Sequence, residues 1–151
     1  MQIISFELMT TQIGDDHLAA WRAVLNAHAR LTGEVEAALA HAGLPQLAWY
    51  DVLWALQRSP GKALRMGELN DSVTISRSGL TRLVDRIEAE GLLERRQSRT
   101  DRRAVEAAIT PEGSKLLRRM WPVYEKVLRA RFEAKLTQAE AKALSKALAK
   151  I

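Results

Sequence analysis

The sequence contains no cysteine, which excludes disulfides, thiolate zinc sites and regulation by thiol oxidation. Its eight glycines are scattered singly, so there is no glycine-rich loop of the kind that binds phosphate. No apolar run approaches the roughly 18–20 residues that a membrane-spanning helix needs. The opening residues also lack the basic start and small-residue cleavage site of a secretory signal. We therefore expect a cytoplasmic protein.

Groups that could carry catalysis or hold a metal are equally scarce. No serine, histidine and acid occur in the arrangement of a nucleophile elbow, and most carboxylates occupy solvent-facing helical positions. His17 and His28 would share a helix face, but no acid or cysteine cluster completes a metal site around them. We expect neither an enzyme nor a protein that uses a metal or another cofactor.

The net charge of +5 is unevenly distributed along the chain. Residues 1–57 carry an excess of acids, whereas residues 58–103 and 111–151 are basic. A basic middle and tail suit a polyanionic partner such as nucleic acid or an acidic membrane surface. A basic surface that is merely solvated is the alternative.

The spacing of apolar residues predicts one domain, mainly α-helical with a small β-hairpin. Steps of three and four predict six helices, which begin near Asp16, Gln46, Gly67, Ser76, Pro111 and Thr137. After Gly91 the period changes to two, which predicts a hairpin between Leu93 and Ile109 with a polar tip at Gln97–Arg102. The expected order is α1-α2-α3-α4-β-β-α5-α6.

Two short helices joined by a tight turn and followed by a hairpin form a winged helix-turn-helix, in which the second helix enters the major groove of DNA. Its buried stripe would be Leu80, Leu83, Val84 and Ile87. Its outward stripe would consist of hydroxyls and guanidinium groups, which suit phosphates and the edges of bases: Ser76, Arg77, Ser78, Thr81, Arg82 and Arg86. Gly79 would allow close approach to a phosphate. The alternative is an exposed helix face whose arginines pair with Asp85 or Glu88.

The predicted hairpin tip is strongly basic. Residues 95–103 hold five arginines and one acid, Asp101. Such a tip suits the minor groove, where the potential is most negative, although a solvated hairpin is the alternative. Asp101 could pair with Arg103 or with an arginine of the preceding helix and so set the angle of the hairpin. It could also be a simple turn residue.

Three segments resemble the signature of the MarR (multiple antibiotic resistance regulator) family of winged helix-turn-helix transcriptional regulators. They are the run from Ser76 to Glu88 with the following Gly91-Leu92-Leu93, the Asp101-Arg102-Arg103 of the hairpin, and Ile109-Thr110-Pro111-Glu112-Gly113. Trp49-Tyr50-Asp51-Val52-Leu53 also resembles the second helix of the family. The likeness covers about residues 16–151. Asn70-Asp71-Ser72 departs from it by being more polar than the usual third helix.

The resemblance implies a homodimeric repressor that binds a pseudo-palindromic operator in double-stranded DNA. Residues 16–45 and 111–151 would form the dimerisation helices, and residues 46–110 the winged helix-turn-helix lobe. The apolar stripes of the terminal helices also favour a partner chain. Carried over by position, the DNA contacts would be Ser76, Arg77, Ser78, Thr81, Arg82, Arg86, Arg99, Asp101 and Arg103.

The resemblance further implies release from DNA by a small aromatic or phenolic ligand bound between the two lobes. Six aromatic residues could line such a pocket, although aromatic residues more often pack cores and interfaces: Trp21, Trp49, Tyr50, Trp54, Trp121 and Tyr124. The pocket candidates are His28, Trp49, Tyr50 and Trp54. Two other functions stay open at this point. One is a winged-helix module that binds an acidic protein partner, and the other is a regulator that has no ligand.

Overall fold

The computed structural model describes residues 13–98 and 101–151. Within this part of the chain there are six helices and three strands, in the order α1, α2, β1, α3, α4, β2, β3, α5, α6. Their bounds are α1 Asp15–His41, α2 Leu47–Arg58, β1 Ala63–Arg65, α3 Met66–Ser72, α4 Arg77–Ala89, β2 Leu93–Gln97, β3 Val105–Ile109, α5 Pro111–Arg131 and α6 Gln138–Leu148. The predicted mainly α fold with a winged helix-turn-helix is confirmed.

The sheet has three strands, whereas the sequence predicted two. The strand order is β1-β3-β2 and both pairings are antiparallel. Leu64 of β1 lies opposite Ala107, and Leu93 of β2 lies opposite Ile109. β1 has only three residues, too few to show a period of two. We use the name wing for residues 93–109, which comprise β2, β3 and the tip between them.

The core forms around α2, which packs against helices from both ends of the chain. Val52, Leu53 and Leu56 of α2 are completely buried. They contact the buried stripe predicted for α4, which consists of Leu80, Leu83, Val84 and Ile87. The other fully buried large side chains are Val35 and Leu39 of α1, Leu69 of α3, Leu93 of β2 and Met120 of α5. A single core therefore joins the helix-turn-helix to the long helices.

The junction between the wing and α5 is held by Thr110 and by the absence of a side chain at Gly113. The Thr110 hydroxyl accepts a hydrogen bond from the Gly113 amide at 3.1 Å and donates one to the Gly91 carbonyl at 2.8 Å. The Thr110 amide donates to the Leu92 carbonyl at 3.1 Å. A Cβ atom at Gly113 would lie 2.0 Å from that same Leu92 oxygen. Helix α5 therefore begins in direct contact with the turn after α4.

The terminal helices leave much apolar surface uncovered. Helix α6 has no buried residue, and Leu144 and Leu148 are exposed. Trp21 and Leu25, in the first half of α1, are also exposed. The middle of α1 instead packs on α5, where Arg131 Nε donates to Glu34 Oε2 at 2.6 Å. No helix in the described part of the chain is long and apolar enough to cross a membrane.

Candidate nucleic-acid interface and adjoining cavity

Helix α4 begins at a serine cap, as its sequence predicts. Ser76 Oγ accepts a hydrogen bond from the Gly79 amide at 3.2 Å, which satisfies one of the free donors of the first turn. A Cβ atom at position 79 would lie 2.9 Å from this hydroxyl oxygen and 3.3 Å from Ile75 Cγ2. The absence of a side chain at Gly79 thus makes room for the Ser76 cap. This is a structural reason for the glycine, in addition to the close approach to a phosphate expected from the sequence.

The outward stripe of α4 is fully available. All six predicted contact residues of this region are exposed: Ser76, Arg77, Ser78, Thr81, Arg82 and Arg86. Within residues 13–98 and 101–151, the guanidinium groups of Arg77, Arg82 and Arg86 have no ion-pair partner. The alternative interpretation, that these arginines pair with Asp85 or Glu88, does not hold in the structure.

Asp85 and Glu88 are instead bound by an arginine of the wing. Arg95 Nη2 lies 2.6 Å from Asp85 Oδ1, and Arg95 Nη1 donates to Glu88 Oε2. The other oxygen of Glu88 accepts the backbone amide of Arg95 at 2.7 Å. Burial of Arg95 opposes its charge, but the hydrogen bonds with Asp85 and Glu88 outweigh that effect and raise its pKa. This contact, the Arg95 clamp, fixes strand β2 to helix α4.

A second set of charges crosses the outer face of the sheet. Arg65, Glu106 and Arg96 are register partners on β1, β3 and β2, so their side chains share one face. Arg96 Nε donates to Glu106 Oε1 at 2.9 Å. Arg65 Nη2 lies 3.6 Å from Asp101 Oδ2, at the wing tip. Two acids of the wing are therefore paired: Glu106 with Arg96, which joins β3 to β2, and Asp101 with Arg65, which joins the tip to β1.

The Asp101 carboxylate forms its ion pair with Arg65, and not with the Arg103 guanidinium or an arginine of α4 as the sequence suggested. Its Oδ1 accepts the backbone amide of Arg103 at 3.0 Å, not the Arg103 guanidinium, and its second oxygen faces Arg65. It therefore stabilises the tip as an Asx-type turn residue with one additional ion pair. Arg102 and Arg103 are exposed at this tip. The predicted contact Arg99 lies outside the described residues.

Four aromatic side chains surround a cavity between α2 and α5. Tyr50 lies at the centre, with ring centroids 6.3 Å from Trp54, 6.2 Å from Trp121 and 5.2 Å from Tyr124. The cavity has a volume of about 820 Å³. It opens to solvent beside Trp54 and Trp121, which are 46% and 41% exposed, whereas Tyr50 is buried. We call this cavity the aromatic chamber.

Few polar side chains line the aromatic chamber. They belong to Asp51, Gln57, Ser114 and Arg118, in addition to the two phenols. Ser114 Oγ donates to Gln57 Oε1 at 2.8 Å. An apolar cavity with a small number of such groups is typical of sites for small molecules.

Burial raises the pKa values of three titratable side chains at the chamber. Burial, with smaller contributions from the charges of Tyr124 and Asp51, raises the pKa of Tyr50 to about 12. Burial and the charge of Asp51 also raise the pKa of Tyr124. Both phenols therefore stay protonated at neutral pH and can donate hydrogen bonds. The pKa of Asp51 is raised above its usual 3.8 by burial and by the charge of Glu36.

The structure brings together two of the four residues proposed for a ligand pocket. Tyr50 and Trp54 line the aromatic chamber. Trp49 lines a different cavity of about 470 Å³, beside the loop between α1 and α2. His28 lies on the exposed part of α1 and lines neither cavity. The helical spacing in α2 was enough to show that Trp49 lies on a different face from the other two aromatic residues. Tyr50 and Trp54 are four residues apart and therefore share a face.

Trp121 and Tyr124 form the opposite wall of the chamber. They belong to the six aromatic residues considered from the sequence, but not to the four pocket candidates. Their spacing of three residues in α5 places them on one helix face. That signal was present in the sequence. The contact between this face and the Tyr50 face of α2 comes only from the packing of the two helices.

Comparison with known proteins agrees with this architecture. Residues 42–104 match the MarR family model. The chain is 33% identical over 70 residues to the transcriptional repressor MprA of Escherichia coli, a match that covers 46% of this chain and 40% of MprA. The chain thus matches less than half of the length of this curated relative.

Two solved structures from Streptomyces coelicolor resemble the chain over nearly its whole length. AbsC, a MarR family transcriptional regulator, superposes with a TM-score of 0.81 at 30% identity, covering 92% of this chain and 93% of AbsC. Sco3205, another MarR family transcriptional regulator, was solved in complex with DNA and has a TM-score of 0.81 at 28% identity, covering 91% and 86%. The chain therefore belongs to the MarR family, a family of transcriptional regulators and not of enzymes.

Proposed function

We propose that the chain is a sequence-specific double-stranded-DNA-binding repressor that acts as a homodimer and is released by a small aromatic ligand. The main observation in favour of DNA binding is that the acids of α4 near the wing are paired, whereas its arginines are exposed and have no ion-pair partner among the described residues. Its two acids near the wing are bound by Arg95, whereas Arg77, Arg82 and Arg86 are exposed. The surface offered to a phosphate backbone is therefore cationic, even though α4 also contains carboxylates.

Within this proposal α4 is the recognition helix. Arg82 and Arg86 lie one helical turn apart and reach base edges, where arginine binds guanine through two hydrogen bonds. Ser76, Ser78 and Thr81 position the helix against phosphates. At the wing tip Arg103, together with Arg99, enters the adjacent minor groove, while Asp101 holds the tip in shape.

The relatives support repression of transcription. MprA is a transcriptional repressor, and Sco3205 forms a complex with DNA. A dimer of this fold would place two recognition helices about 34–36 Å apart, in successive major grooves of a pseudo-palindromic operator. Occupation of a promoter in this way blocks polymerase.

Dimerisation is proposed from the exposed apolar surface of the terminal helices. Residues 16–45 and 111–151 supply it, and residues 46–110 supply the lobe that binds DNA. Trp21, Leu25, Leu144 and Leu148 are each more than a third exposed, although they lie on amphipathic helices. Apolar surface concentrated in this way is typical of an interface between subunits.

Leu148→Glu is expected to shift the chain from dimer to monomer, because the new carboxylate would lose hydration on entering an apolar interface. Sedimentation equilibrium measures the change. Val105→Glu is the matched control, since Val105 is 52% exposed but lies on the wing. The control should remain dimeric. A monomeric wild-type protein, or a Leu148→Glu variant that associates normally, would contradict the proposed interface.

Release by a ligand is proposed from the position of the aromatic chamber. One wall belongs to α2, which packs on the recognition helix, and the other belongs to α5, which is part of the proposed dimerisation region. A ligand that separates these walls, or draws them together, would change the distance between the two recognition helices. The chamber is lined mainly by aromatic rings, so it suits a planar aromatic compound.

Arg82→Ala and Arg103→Ala are each expected to lose about 1–3 kcal/mol of operator binding while leaving the fold intact. The operator is first selected from random duplexes, and affinity is then measured by fluorescence anisotropy over a range of salt concentrations. Arg58→Ala, an exposed arginine at the end of α2, is the control and should bind as the wild type does. Full operator affinity in both variants would disprove the assigned contacts. Equal affinity for operator and random duplexes at every salt concentration would favour a protein-interaction module instead.

A further inference from the structure

A third cavity lies at the start of α5 and is markedly cationic. Its volume is about 330 Å³, and it is lined by Lys62, Ile109, Thr110, Pro111, Ser114, Lys115 and Arg118. Three of these residues are cations and none is an acid. We call this cavity the cationic mouth. Neither the family signature nor the proposed DNA contacts use its three basic residues.

The charges of the cationic mouth are largely available to a ligand. In the part of the chain that the structure describes, no ion pair involves Lys62 or Arg118. Lys115 lies 3.6 Å from Glu112, but both side chains are more than half exposed, so the pairing is weak. Lys62 also has a φ of 55°, the only positive φ of a non-glycine residue among those described. The Lys62 amide donates to the Ser59 carbonyl at 3.0 Å, so a tight turn holds the backbone in a conformation that lysine rarely adopts.

The cationic mouth and the aromatic chamber lie side by side along α5. Ser114 and Arg118 line both cavities. The mouth follows α5 over residues 111–118, and the chamber follows it over residues 114–128. At a rise of 1.5 Å per residue, the two centres are about 9 Å apart along the helix. A single elongated molecule could occupy both.

The position of the mouth separates it from the proposed DNA interface. Lys62 directly precedes Ala63, which pairs with Ala108 at the end of the sheet next to α5. The wing tip lies beyond Val105, at the opposite end of the same strand. Strands rise about 3.3 Å per residue, so the mouth is roughly 10 Å or more from the tip. Its cations are thus not placed to assist the tip arginines at a minor groove.

We propose that the cationic mouth binds a doubly charged anionic group, such as a phosphate, of a ligand whose aromatic ring occupies the chamber. The proposal rests on the ligand-controlled function proposed above and names the ligand class: an aromatic compound that carries a phosphate on a short tether. Arg118, which borders both cavities, binds the phosphate from the chamber side, and Lys62 and Lys115 bind it from the solvent side. A phosphate carries a charge of about −1.5 to −2 at pH 7, which several cations together neutralise better than one.

The test is isothermal titration calorimetry of the full chain with phenylalkyl phosphates and the matching phenylalkyl alcohols, with tethers of increasing length. We expect the best phosphate to bind roughly tenfold or more tightly than its alcohol, because charge-assisted hydrogen bonds form only with the phosphate. The Lys62→Ala/Lys115→Ala double variant leaves every residue that lines the chamber unchanged, so it should lose most of this preference and bind the alcohol as the wild type does. Equal binding of phosphate and alcohol by the wild type would overturn the proposal. So would a preference that survives in the double variant.

Two controls separate this proposal from DNA binding. Arg119→Ala/Lys126→Ala removes the same charge from α5 outside the mouth and should keep the phosphate preference. The Lys62→Ala/Lys115→Ala variant should bind the selected operator with wild-type affinity when no ligand is present. Loss of operator binding in that variant would assign these cations to DNA and overturn the proposal. A wild-type protein that selects no operator, but prefers the phosphate, would contradict the proposed DNA function alone.

Discussion

Gly113→Ala is expected to destabilise the protein by at least about 3 kcal/mol, because the added methyl group has no space. Its carbon would lie 2.0 Å from the Leu92 carbonyl oxygen and 2.8 Å from Ile109 Cγ1. The carbonyl belongs to the backbone and also accepts the Thr110 amide, so it cannot rotate away without loss of that hydrogen bond. Denaturant unfolding at a fixed protein concentration measures the change.

Gly67→Ala is the matched control, since Gly67 also lies in the first turn of a helix. A Cβ atom there meets no atom within 4 Å. Its effect should be small, or slightly stabilising, because alanine has the higher helix propensity. If Gly113→Ala unfolded at the same denaturant concentration as Gly67→Ala, the tight junction between the wing and α5 would be disproved.

Arg95→Met is expected to lower stability by about 1–3 kcal/mol and to weaken operator binding at least about tenfold. The methionine keeps most of the apolar stem but removes the guanidinium, so Asp85 and Glu88 lose their common partner. Glu88 is only partly exposed, which makes its loss of pairing costly, whereas the more exposed Asp85 contributes less. Two uncompensated carboxylates then lie beside the arginines proposed to bind phosphate, and the wing is no longer tied to α4.

The experiment compares unfolding with anisotropy on two duplexes that differ only in the base pairs flanking the operator. Discrimination between these flanks should fall in Arg95→Met, because a loosened wing reads the minor groove less specifically. Arg129→Met is the control, since Arg129 makes an exposed pair with Glu125 within α5. It should leave both measurements unchanged. Unaltered discrimination of the flanks in Arg95→Met would show that the clamp does not position the wing.

Local sequence determined the helices and most of their ends. The stripes at steps of three and four predicted the start of each helix to within one residue, and Ser76 caps α4 as expected. The capping box of α6 also forms, with Thr137 and Glu140 exchanging hydrogen bonds. Gly91, the predicted end of α4, has a φ of 70°. These features depend on neighbours within a few residues, which is why pattern alone could predict them.

The roles of individual charges could not be predicted in the same way. In the sequence the arginines of residues 95–103 are equivalent members of one basic run. In the structure Arg95 and Arg96 are bound to acids of α4 and β3, whereas Arg102 and Arg103 are exposed. The pairing of Asp101 with Arg65 joins residues 36 positions apart through a strand too short to be predicted. Such pairings depend on strand register, which a single sequence does not reveal.

The sequence by itself determined the class of this protein: a helical domain, a wing, an exposed helical face of hydroxyls and arginines, and the signature of the MarR family. Those features follow from periodicity and from short-range capping, both of which act along the chain. Only the tertiary structure decided which arginines of the described residues stay exposed and unpaired and which bind the acids of α4 and the sheet. It also decided that the Tyr50 face of α2 meets the Trp121 face of α5 beside three cations. The physical reason is that pairing of charges and enclosure of a cavity both require residues distant in the chain to come within a few ångströms.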